Sequence, residues 1–172
     1  MFKYWARSSV LVLAVMALTV GCTPGNDGPS ANIKAAVDNP ARSDEARARD
    51  AGRMPGPMLS FYGVARGMTV LEVGAGGGYY TEILSAAVGP EGRVIAQNTP
   101  SDYYQNNIKA IFEPMAERLG NVTPEVGDLT KVKLEPNSVD LALITLIYHH
   151  MHYNPEEGEI LPAYTKQSLA NI

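Results

Sequence analysis

The sequence predicts an α/β fold built around a parallel β-sheet, and three observations carry that prediction. The run Val70-Leu71-Glu72-Val73 is a short apolar segment that passes directly into Gly74-Ala75-Gly76-Gly77-Gly78-Tyr79, a strand ending in a glycine-rich turn. Tyr80 to Val88 then sets Ile83, Leu84 and Ala87 on one helical face, and Arg93-Val94-Ile95-Ala96 supplies a second strand. The β-α-β unit so formed is parallel and right-handed by strong preference. Val139 to Tyr148 is nearly all apolar and does not alternate in polarity, as expected of a parallel strand covered on both faces.

A chain of 172 residues, 45% hydrophobic and with a net charge of -4, has enough apolar surface for one domain with its own core, and it carries no basic stripe for nucleic acid. The N-terminus stands apart from that domain. Lys3 and Arg7 form a basic start, Val10 to Val20 is a short apolar run, and Gly21-Cys22 follows, which together predict a secretory signal over residues 1–22. Cys22 is the only cysteine, so it forms no internal disulfide. Its place after Leu18-Thr19-Val20-Gly21 resembles a bacterial lipoprotein signal, with Thr19 where leucine is commoner. That resemblance implies lipidation of Cys22, export, and attachment to the periplasmic side of a bacterial membrane through the acylated N-terminus. A secreted or soluble periplasmic protein is the alternative. Residues 23–40, rich in Gly, Pro, Asn, Ser and Asp, read as a flexible linker, and residues 41–172 as the folded domain.

Within that domain, Ser43 or Asp44 caps a helix through Asp50 that has little apolar surface and is expected to lie on the outside. A short helix over Pro57 to Tyr62 stops at Gly63, and the glycine-loop strand begins at Thr69. After the second strand, Ser101 is a candidate cap for a helix whose face is Ile108, Ile111, Phe112, Met115 and Leu119, kinked or split by Pro114 and ended by Gly120. Val122 to Val126 is a third strand; Pro124 restricts it to an edge or a bulge.

The glycine spacing distinguishes two kinds of ligand loop. A dinucleotide loop needs G-x-G-x-x-G, and its third glycine would fall on Tyr79. The pattern present, with Glu72, Gly74, Gly76 and Gly78, resembles the first motif of class I S-adenosylmethionine-dependent methyltransferases. The segments that follow, including Gly127-Asp128-Leu129 and Leu134 to Asp140, are similar to that family in the same order over about residues 55–172. The resemblance implies a Rossmann-like parallel sheet with its first four strands in the order 3-2-1-4 and its last three strands missing. The segments Arg42 to Pro55 and Tyr148 to His152 are similar to a bacterial group of predicted methyltransferases.

The same resemblance implies the site. Glu72 lies at the methionine end of the cofactor, with a strand-end acid capping its own turn as the alternative. Gly74, Gly76 and Gly78 let S-adenosylmethionine lie against the backbone. The second strand ends in Gln97-Asn98 where the family has an acid for the ribose, and Asn98 stands in as an amide. Asp128 meets the adenine amino group and Leu129 flanks the ring, or Asp128 is a surface-turn aspartate. His149, His150 and His152 are the only histidines. His149 and His150 are candidate general bases, with a structural role as the alternative. No cysteine or carboxylate completes a metal set with them, so no metal is expected.

The function implied is methyl transfer from S-adenosylmethionine to an unidentified small molecule. Export separates the domain from the cytoplasmic supply of that cofactor, which keeps open a non-catalytic binding module on the same fold. The early end of the sequence keeps open a non-functional truncated fragment, and it predicts self-association through the exposed edge of the fourth strand.

Overall fold

The computed structural model describes residues 29–105, 107–148, 153–154 and 159–160. The predicted signal with Cys22, and His149, His150 and His152, lie outside the described residues.

The chain enters the domain earlier than its composition suggests. Helix α1 (Ala31–Val37) packs into the core through Ile33 and Ala36, both buried. Asn32 Nδ2 donates to the Ala87 carbonyl at 3.0 Å, which ties α1 to a helix 55 residues away. The linker expected over residues 23–40 is corrected here: from residue 31 the chain is core, so the domain does not begin at 41. The glycines and prolines that signal a tether stop at Ser30, and Ile33 and Ala36 lie one turn apart on a single helical face.

Helix α2 (Asp44–Ala48) begins at Ser43, whose hydroxyl accepts from the Ala46 amide, the predicted cap. Helices α3 (Asp50–Arg53) and α4 (Pro55–Phe61) follow at once, with the turn between them at Met54. Strand β1 (Thr69–Val73) leads through the glycine loop into α5 (Tyr79–Val88) and β2 (Arg93–Asn98). The predicted long helix is two, α6 (Pro100–Gln105) and α7 (Ile108–Leu119). The break precedes Pro114, which lies inside α7, and Asn107 turns the chain there with φ of 56°. The cap of α6 is Thr99 rather than Ser101, since Thr99 Oγ1 accepts from the Asp102 amide at 3.2 Å.

Strands β3 (Val122–Val126) and β4 (Leu141–Ile144) complete a parallel sheet in the order β3-β2-β1-β4, the order expected of the class I methyltransferase fold. Pro124 sits opposite Ala96 on the outer strand β3. Residues 153–154 and 159–160 form a separate two-stranded pair, β5 and β6. The sheet register alternates side chains between two cores. Val70, Val94 and Leu143 face α1, α4, α5 and α7, while Leu71, Val73 and Ile95 face Leu129 and Val132. The expectation of a fully covered fourth strand over 139–148 is corrected: β4 is four residues long and only Leu143 is buried. Its neighbour lies on one side only among the described residues, and the extended run ends where Leu146 takes φ of 66°.

Candidate functional site

The register fixes what surrounds the glycine loop. β1 pairs Glu72 with Ala96 of β2 and with Leu143 of β4, so the loop leaves the carboxyl edge of the sheet between the ends of those two strands. Gly74, Gly76 and Gly78 all have positive φ. At Gly76 an added Cβ would meet nothing within 4 Å, as at Gly77, so bare backbone faces open space. At Gly74 the place of a Cβ is filled by the Ile147 side chain.

The two amides at the end of β2 hold this loop. Gln97 Oε1 accepts from the Gly74 amide at 3.1 Å, and Asn98 Oδ1 accepts from the Gly76 amide at 2.7 Å. Gln97 Nε2 donates to the Gly127 carbonyl at 2.7 Å, which links the loop to the end of β3. Asn98 is 2% exposed, its Oδ1 is used on the Gly76 amide, and it also lines the cavity beside the loop. Replacing Asn98 with alanine leaves the Gly76 N–H without its acceptor and is expected to cost ~1–3 kcal/mol, read by thermal denaturation. Asn98→Asp keeps an acceptor and should retain most of that stability; an alanine variant as stable as wild type would show that the brace contributes nothing.

Glu72 ends up in the interior beside the loop. It is 4% exposed, accepts from the Thr81 hydroxyl at 2.5 Å, and burial pushes its carboxyl up to about 8. The acid is therefore largely protonated near neutral pH, and among the described residues no cation is paired with it. Thr81, one turn into α5, was not legible as a partner because only the fold brings it beneath β1.

Among the described residues three cavities flank the loop. One, of about 370 Å³, lies on the Gly77 and Gly78 side against Met115 and Arg118. The other two meet over Gly74 and Gly76. Of these two, the smaller, of about 210 Å³, is lined by Glu72, Tyr80, Thr145, Leu146 and two arginines, Arg49 and Arg53. The other, of about 300 Å³, is lined by Asn98, Asp102, Ile108 and Leu129. Both share Val73, Gly74, Gly76 and Ile147, so they meet over the loop. Leu129 is on the wall of the second of these cavities. Asp128 does not line either one: its Oδ1 accepts from the Thr130 amide at 2.9 Å and the Thr130 hydroxyl at 2.8 Å, the turn-capping alternative.

The N-terminal helices close the smaller cavity through a network that sequence reading missed. Arg42 is fully buried and grips Asp50 with both terminal nitrogens, at 2.9 and 2.6 Å. The Tyr79 hydroxyl donates to the same carboxylate at 2.6 Å, and Tyr80 donates to the Arg53 carbonyl at 3.1 Å. Hydrogen bonding from Arg42 holds the Asp50 carboxyl below its usual range, and burial pushes the Tyr79 phenol well above its own. Arg42 and Asp50 are brought together by the fold and not by any sequence pattern; Tyr79 and Tyr80 after the loop are the available signal that something docks there.

The open glycine backbone, the unpaired buried acid and the apolar wall at Ile108 and Leu129 fit a ligand with an amine at one end and a flat apolar group at the other. The family model for protein-L-isoaspartate (D-aspartate) O-methyltransferase matches residues 30–131. The protein-L-isoaspartate O-methyltransferase of Methanococcus maripaludis strain S2 is 33% identical over 111 residues, 63% of this chain and 50% of that protein. The enzyme of the same name from Ignicoccus hospitalis is 34% identical over 99 residues, 55% of this chain and 43% of its own length. A crystal structure of a SAM-dependent methyltransferase from Aquifex aeolicus is similar with a TM-score of 0.57 and 26% identity, over 81% of this chain and 64% of that one. The chain spans about half the length of the curated relatives it matches.

Proposed function

This chain belongs to the protein-L-isoaspartate O-methyltransferase family, and from that premise we propose that it binds S-adenosylmethionine across the glycine loop and methylates a protein carboxylate. The observation that carries the reading is Glu72: a buried acid with no cation partner among the described residues, lining a cavity beside bare backbone. An ammonium group entering that cavity supplies the missing charge, and the acid then gives up its proton. When bound, S-adenosylmethionine supplies a methyl group already activated by its sulfonium. Gln97 and Asn98 hold the loop that carries it, Ile108 and Leu129 offer an apolar wall, and Thr81 orients Glu72.

The small-molecule acceptor expected from the sequence gives way to a protein carboxylate, which the name of the family and of both relatives supports. A carboxylate is ionised near neutral pH and needs no base. The carboxylate oxygen would receive the methyl group that bound S-adenosylmethionine would supply, with the bonding electron pair left on sulfur. His149 and His150 are therefore not required as bases in this reading.

The test is calorimetric titration of the full chain with S-adenosylhomocysteine, followed by transfer of labelled methyl from S-adenosylmethionine to an isoaspartyl peptide. Binding together with a base-labile methyl ester on the peptide is the expected result. Binding without transfer supports the non-catalytic module instead, and no binding by the folded chain overturns both. Lipidation of Cys22, with the domain held at the periplasmic face of a membrane, belongs to the same proposal. It rests on the basic start, the apolar run and the position of Cys22. Mass spectrometry of the mature N-terminus checks it, a free unmodified Met1 being the contrary result. Self-association through β4 is also part of it, and a monodisperse monomer in sedimentation would contradict that.

A further inference from the structure

Arg49 and Arg53 are four residues apart and come to one side of the N-terminal helices. Both guanidinium groups lie over the Tyr79 ring, at 5.0 and 4.6 Å from its centroid. Stacking of this kind fixes the plane of a guanidinium and leaves its N–H edge free to donate. The carboxylate nearest in sequence, Asp50, is already committed to Arg42 and to the Tyr79 hydroxyl. Among the described residues neither Arg49 nor Arg53 has a carboxylate partner, whereas Arg42, Arg47 and Arg118 each do. Both line the cavity that Glu72 also lines, and burial raises the pKa of Glu72 so that it offers them little negative charge near neutral pH.

Arg42 lies over the same ring at 5.5 Å with its charge matched by Asp50. Among the described residues Arg49 and Arg53 are therefore the two cations there without a counter-charge, and like charges held close together repel. An anion between them relieves that repulsion, and a carboxylate matches the guanidinium edge with two parallel hydrogen bonds. We propose that Arg49 and Arg53, held on Tyr79, form a carboxylate-binding site at the mouth of the Glu72 cavity. The inference rests on the cofactor reading above, because two carboxylates belong in that cavity: the one at the amino-acid end of the cofactor and the one of the acceptor. The chemistry is the same for either source, and the experiment separates them.

The probes are S-adenosylhomocysteine, its decarboxylated analogue, which keeps the amine and the adenosine, and an isoaspartyl peptide. The proteins are wild type, Arg49→Gln/Arg53→Gln and Arg53→Lys, each checked for an unchanged melting curve. Arg49 is exposed and Arg53 half-buried, so these variants should fold. If the cofactor carboxylate is the occupant, the double variant loses at least tenfold in affinity for S-adenosylhomocysteine and almost nothing for the decarboxylated analogue, with partial recovery in Arg53→Lys. If the acceptor carboxylate is the occupant, binding of both nucleosides is unchanged and the KM for the peptide rises at least tenfold at constant kcat. A double variant that matches wild type on all three probes overturns the arginine site and leaves the cofactor reading standing. A wild type that binds neither nucleoside overturns the cofactor reading. The arginine site then stands only if direct binding of the peptide to wild type is lost in the double variant.

Discussion

Glu72→Gln protein is expected to bind S-adenosylhomocysteine with an affinity that does not change between about pH 6 and 8, while wild-type affinity rises roughly tenfold per pH unit over that window. Burial holds the Glu72 proton up to about 8, so below that pH an arriving ammonium group must displace it. Each unit by which the pH lies below 8 adds one unit of that cost, and above 8 the proton is already gone. Binding by wild type near neutral pH should therefore release close to one proton, measurable by calorimetry in buffers of different ionisation enthalpy, and binding by Glu72→Gln should release none. A wild-type affinity flat across the same window would remove Glu72 as the partner of the amine.

The same shift acts on folding. The carboxyl ordinarily titrates near 4.5 and here near 8, so the folded chain holds a proton that the unfolded chain has lost. The contribution of this group to stability is full below about pH 4.5 and is lost as pH rises through about 8, on the order of 4–5 kcal/mol in all. Glu72→Gln should lack that slope, and urea denaturation of the two proteins at several pH values reads the difference directly.

Arg42→Ala is expected to destabilise the domain by about 3–5 kcal/mol, a fall in melting temperature of roughly 10 °C. The side chain is fully buried, and its loss leaves the Asp50 carboxylate and the Val37 carbonyl without their donor. Most of the cost is the stranded charge rather than the lost attraction. Arg42→Met combined with Asp50→Asn should therefore recover a large part of the stability that Arg42→Ala loses. Because Asp50 also accepts from Tyr79, beside the glycine loop, Arg42→Ala should weaken nucleoside binding as well. An Arg42→Ala protein within 1 kcal/mol of wild type would show that the network contributes only packing.

Those two residues illustrate what could be read early and what could not. Glu72 is legible as a candidate because its neighbours in sequence announce the loop: an apolar strand before it and glycines after it at fixed spacing. Its buried state was not legible, because that depends on Thr81 and on the strands either side. Arg42 was legible only as one of several arginines. Its partner Asp50 lies 8 residues away and the tyrosine that completes the network 29 beyond that, too far for any pattern of period or spacing. Asn98 shows the same limit from the other side. Its position at the end of β2 was read correctly, but the register of β1 against β2 aims its amide at Gly76, and residue type alone does not say which of two hydrogen bonds an amide will make.

The sequence by itself determined the sheet's first three strands, the glycine loop and the helix after it, and with them where the candidate site lies. These depend on features local to a few residues: apolar runs, helical periodicity, and turns that need positive φ. Only the tertiary structure decided that α1 belongs to the core, that β4 is short and half covered, that Glu72 is buried beside an open cavity and that two arginines stand over it on Tyr79. Burial, and the hydrogen-bond partners that go with it, are set by whatever packs against a residue from elsewhere in the chain.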